Sequence, residues 1–126
     1  RLHRALFVHG IAGHVEHAAH HGLANALMLP DSMVFIETAN LTANQQQRIQ
    51  TIRTLFAETN RSGDSLAAET RAWFTELGIK FGLKNYNIPP DDLGNLADEA
   101  FLDTCHATNL IPVTRDDLAA VYKRAY

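Results

Sequence analysis

His20-His21-Gly22-Leu23-Ala24-Asn25-Ala26-Leu27-Met28-Leu29-Pro30 is the stretch on which the reading of this chain turns. Leu23, Ala26, Leu27 and Met28 recur at the three-to-four residue spacing of a helix face, so a helix is predicted to start near His21-Gly22. Pro30 has no N–H to continue the ladder and is expected to kink or stop that helix. Beyond it, Ser32 to Ala39 carries the apolar run Met33, Val34, Phe35 and Ile36, which fits a continued helix or a short strand. Its neighbours on both sides have helical period, and helix is therefore taken.

Working outward, Leu2, Ala5, Leu6, His9 and Gly13 mark a first helix over residues 2 to 13. Downstream, Thr42-x-x-Gln45 reads as a capping box, with Ile49, Ile52, Leu55 and Phe56 as the buried face behind it. Asn60 to Asp64 is a polar loop, and Asp64 or Ser65 caps the next helix, whose face is Leu66, Trp73, Phe74 and Leu77. Gly78 suits a left-handed stop. Residues 79 to 90 form a connector ending in Pro89-Pro90. Asp91 and Asp92 then favour the start of a helix by charge, with Leu93, Leu96, Ala97, Ala100 and Phe101 as its stripe. Thr114-x-x-Asp117 opens a last helix that faces inward through Leu118, Val121, Tyr122 and Ala125. The expectation is one all-α domain over residues 1–126, a bundle of about six helices with short loops.

Composition agrees with this. The chain has 126 residues, 46% of them hydrophobic and 20% charged, an ordinary globular mixture. A net charge of -3 gives no nucleic-acid signature. No run approaches the roughly 20 apolar residues of a membrane span, so no membrane partner is expected. The single cysteine, Cys105, excludes an intrachain disulfide and fits a reducing compartment, with the cytoplasm the expected location. The chain opens on Arg1-Leu2-His3-Arg4 with no initiator Met and the helical pattern already running. This reads as a cut through a longer protein, with processing as the alternative.

Histidine is the unusual element. Of the 7 histidines, His9, His14, His17, His20 and His21 crowd one short stretch. Imidazole is the commonest transition-metal ligand, so chemistry is sought there first. His14, His17 and His21 are spaced i, i+3, i+7, so one continuous helix would carry all three on a face able to hold zinc or nickel. The bland reading, preferred for His3, His17, His20 and His106, is solvated side chains. Cys105 is read as structural.

Val8-His9-Gly10-Ile11-Ala12-Gly13-His14 followed by His21-Gly22-Leu23-Ala24-Asn25-Ala26-Leu27-x-Leu29-Pro30 resembles the signature of the iron-containing (group III) alcohol dehydrogenases. Asp91-Asp92-Leu93-x-x-Leu96-Ala97, Thr108-Asn109 and Pro112 to Leu118 resemble the family's closing segments, so the likeness covers nearly the whole chain. It implies an all-helical C-terminal domain and an enzyme interconverting a primary alcohol and its aldehyde. By the same resemblance His9 and His21 are metal ligands for ferrous iron, with zinc as the alternative. A further Asp and His ligand come from an upstream helix outside this chain. His14 lies near the family's cavity histidine and is assigned a proton-relay or substrate role. The sequence departs from the pattern locally. Gly13 stands one turn after His9, where the cavity histidine is expected, and His14 lies about 100° further around the helix. His20 precedes His21 where Pro is common, and Asn109-Leu110-Ile111-Pro112 replaces the usual Asn-Pro-Arg.

No Gly-rich strand-to-helix loop is present to cradle a dinucleotide, so NAD(P) would bind only through a segment absent from this chain. The expected partners are a nucleotide-binding domain or subunit and a small alcohol or aldehyde. An apolar face left exposed could also drive homo-oligomer formation. Alone, the chain is expected to be inactive. The alternative is a non-catalytic helical module that binds metal or protein.

Overall fold

The computed structural model describes residues 21–59 and 63–126, apart from the side chain of His21. Among the described residues there are five α-helices and no strand: α1 (His21–Glu37), α2 (Ala43–Glu58), α3 (Leu66–Glu76), α4 (Leu93–Leu102) and α5 (Arg115–Ala125). These match five of the expected six; the helix expected over 2–13 lies outside the described residues. No described helix is long and apolar enough to cross a membrane.

Local chemistry sets most of the boundaries. Thr42 accepts from the Gln45 N–H while the Gln45 side chain accepts from the Thr42 N–H, so the capping box that opens α2 is complete. Thr114 and Asp117 do the same for α5, and Ser65 caps α3 by accepting from the Ala68 N–H. Gly78 follows α3 with φ 88°, a conformation that a Cβ would strain. α4 is entered through a 3-10 turn, Pro90–Asp92, which places Asp91 and Asp92 ahead of the α-helix and not inside its first turn.

Pro30 does not stop α1; the helix runs through it to Glu37. Position 30 still lacks a donor for the carbonyl four residues back. Burial resolves the conflict. Pro30, Asp31 and Ser32 are all buried, so tertiary packing holds the helix where local preference would end it. The Ser32 hydroxyl donates to the Met28 carbonyl at 2.8 Å and is satisfied within the helix.

α1 is the central element and packs against both α3 and α5, while α4 packs on α5. The core joins Ala24, Leu27 and Met28 of α1 to Leu96, Ala97 and Ala100 of α4. Leu118, Val121, Tyr122 and Ala125 of α5 close it, as expected from their spacing. The connector contributes as well, since Leu83 and Ile88 are buried in the same cluster. Four expected core positions are corrected. Ile52 is 40% exposed, Leu55 57%, Leu77 65% and Phe101 40%. α2 has no fully buried residue at all, because α3 is its main neighbour and leaves much of its apolar stripe open.

Candidate functional site

His21 is the first described residue of α1. The next two turns, through Ala24, Leu27 and Met28, are anchored in the core, so the backbone carrying His21 is tied to the most buried part of the fold. His9 and His14 lie outside the described residues, as does the side chain of His21. Among the described residues no three His, Cys, Asp or Glu side chains converge as a metal-binding group.

The described imidazole, His106, is not simply solvated. It is half-buried, stacks on Phe101 with ring centroids 4.8 Å apart, and sits with Nε2 3.0 Å from the Phe101 carbonyl oxygen. Cys105 lies in the 3-10 turn Thr104–Thr108, its backbone N–H donating to Asp103 Oδ1 at 2.9 Å.

Polar side chains that the sequence did not single out fasten the helices to one another. Glu37, at the end of α1, accepts from the N–H groups of Leu66 (2.7 Å) and Ala67 (3.1 Å), capping α3 across 29 residues of chain. A carboxylate there meets both the unpaired donors and the positive end of the helix dipole. Asp31, its side chain 4% exposed, receives Arg71 at 2.7 Å, and that guanidinium also lies 4.5 Å from the centre of the Phe81 ring. Glu69 accepts from Arg53 and from the Gly63 N–H, tying α2 and the loop to α3. On the surface, the Arg115 hydrogen bond holds the Asp98 carboxyl below its ordinary range. Burial pushes the Tyr122 phenol well above its usual range, so this hydroxyl stays protonated in the core.

An apolar cavity of about 350 Å³ lies between α1, α2 and α3. Met28, Leu29, Met33 and Ile36 line it from α1, Ile49, Ile52 and Phe56 from α2, and Trp73 and Phe74 from α3. The partly exposed stripe of α2 is thus the wall of a hollow. Asn25 belongs to the same lining and stands one helical turn after position 21. Phe56 meets Trp73 edge-on at 5.8 Å, and Trp73 lies 5.4 Å from Phe74, so the aromatic end of the wall is packed upon itself.

Comparison with known proteins bears on the whole chain. Residues 4–126 match the Fe-containing alcohol dehydrogenase family, C-terminal. Alcohol dehydrogenase 4 from each of two strains of Saccharomyces cerevisiae is 26% identical over 123 residues, covering 95% of this chain. The match covers 31% of each relative's length, so the chain spans about a third of the proteins it is similar to.

Proposed function

Because this chain belongs to the Fe-containing alcohol dehydrogenase family, as its C-terminal region, we propose that it is the metal-binding helical part of an NAD(P)-linked dehydrogenase that interconverts a primary alcohol and its aldehyde. One observation carries this reading: the family match over residues 4–126 includes both His9 and His21, and His21 lies on a helix seated in the core.

The donor chemistry fits in kind. Neutral imidazoles suit ferrous iron and also zinc. His9 and His21 supply two donors, and the remaining donors and the nicotinamide site come from a segment outside this chain. Bound there, the metal supplies Lewis acidity to the substrate oxygen. His9 and His21 hold and orient it, and His14 contacts the substrate or passes its proton onward. α1 fixes the position from which His21 reaches, because Ala24, Leu27 and Met28 anchor the next two turns. On its own the chain is proposed to be inactive, because its sequence offers no Gly-rich loop to cradle a dinucleotide. The setting proposed is the cytoplasm.

A non-catalytic helical module that binds metal or a protein partner is the second reading. The two separate in a full-length enzyme carrying this region. There His21→Ala is expected to remove both iron and turnover while the helical circular dichroism stays unchanged. Normal iron content and turnover in that variant would refute the ligand assignment.

A further inference from the structure

The apolar cavity has a definable occupant. Its walls offer almost no free hydrogen-bonding group. The Ser32 hydroxyl is committed to the Met28 carbonyl, the Thr70 hydroxyl to the Met33 sulfur at 3.2 Å, and the Glu37 carboxylate to Leu66 and Ala67. Water needs two or more polar partners to settle in a cavity, and a hollow of this lining is poorly suited to it. Its volume, about 350 Å³, lies at the small-molecule end of protein sites.

Two lining groups form no hydrogen bond or ion pair with another described residue, Asn25 and Arg48. They sit at opposite ends. The α1 lining runs from Asn25 to Ile36, roughly 16 Å at the helical rise. Glu37 caps α3 at Leu66, and further along Arg53 pairs with Glu69 and Phe56 meets Trp73, so Arg48, early in α2, belongs to the Ile36 end. Asn25 belongs to the other, about 6 Å along the axis from position 21.

We infer that this cavity holds the hydrocarbon tail of a medium-chain primary alcohol or aldehyde, with its oxygen at the Asn25 end and its tail running toward Ile36. Identifying the ligand as the substrate rests on the proposed role of His21; the binding of an apolar tail does not. The cavity then selects for chain length, because each further methylene removes more apolar surface from water.

The chain carries its own reporters. Its one tryptophan, Trp73, and its only two methionines, Met28 and Met33, all line the cavity. Titration of the metal-free chain with 1-octanol is expected to give a saturable change in Trp73 emission and to shift both methionine methyl resonances, while ethanol at equal concentration does neither. Ile49→Phe fills the hollow from α2, a helix with no fully buried residue, so the fold survives the change. It is expected to weaken 1-octanol binding on the order of tenfold, as the loss of about two methylene contacts would. Absence of a saturable response, or equal binding by Ile49→Phe, overturns the inference. Tighter binding of octanoate than of 1-octanol also overturns it, by placing the polar head at Arg48. Tail binding that persists in His21→Ala supports the cavity even if the metal assignment fails, so the two claims fall separately.

Discussion

Replacing Glu37 with Ala tests how the cavity walls are held together. The carboxylate makes two charge-assisted hydrogen bonds to the first turn of α3, at 2.7 and 3.1 Å. Hydrogen bonds to a charged group contribute about 1.5–3 kcal/mol, and a carboxylate at a helix N-terminus about 0.3–1 kcal/mol through the dipole. Glu37 is half-buried, and water replaces part of what is lost. The expected cost of Glu37→Ala is therefore about 2 kcal/mol, against a total stability of about 5–15 kcal/mol for a domain. For a chain of this size that corresponds to a fall in Tm of roughly 7 °C. Glu37→Gln keeps one acceptor and is expected to lose about half as much. Urea unfolding, followed in parallel by far-UV circular dichroism and by Trp73 fluorescence, measures both variants. Because α3 carries Trp73, the fluorescence transition of Glu37→Ala should shift at least as far as the dichroism one. A change below about 0.5 kcal/mol would refute the reasoning, since that is the range of surface substitutions without a structural role.

The Asp31–Arg71 pair should respond asymmetrically. Arg71→Met strands a carboxylate that is 4% exposed and is expected to cost about 3 kcal/mol, whereas Asp31→Asn leaves a guanidinium that is 41% exposed and costs about 1 kcal/mol; equal losses in urea unfolding would contradict this. Asp98 gives a pH test. Its carboxyl is held low by Arg115 in the folded chain, so the pair stabilises the fold above the ordinary aspartate range and that stabilisation is lost as pH falls through and below it. The Tm gap between the native chain and Asp98→Asn should accordingly be present at neutral pH and shrink as pH falls below the ordinary aspartate range, and a gap that grows on acidification would reject the assignment.

Signals written in neighbouring residues were legible in the sequence. Both capping boxes, the Ser65 cap and the left-handed Gly78 need only a few residues of context, and each stands where the pattern put it. The stripes of α4 and α5 were mostly legible because those helices pack on each other and on α1. The stripe of α2 has the same period, but period shows only which residues share a face, and the neighbour that would cover Ile52 and Leu55 is not written there. Pro30 misled for a related reason. Its local cost is real, and burial of Pro30, Asp31 and Ser32 outweighs it. The Glu37 cap on α3 and the Asp31–Arg71 pair join residues 29 to 40 positions apart, and no spacing rule announces such contacts. For the site, the sequence supplied donor types and a helix start. Only the helix from residue 21 onward falls within the described residues, and the cavity beside it emerged from three helices meeting.

The sharing of one cation by His9 and His21 is tested most directly by metal titration of the chain, with the imidazole resonances followed by NMR. Added zinc should shift His9 and His21 together at one equivalent, and either His9→Ala or His21→Ala should abolish the shift of the other, while His17→Ala leaves both unchanged. Loss of binding in His17→Ala with retention in His9→Ala would contradict the account and move the metal to the His14, His17, His21 face.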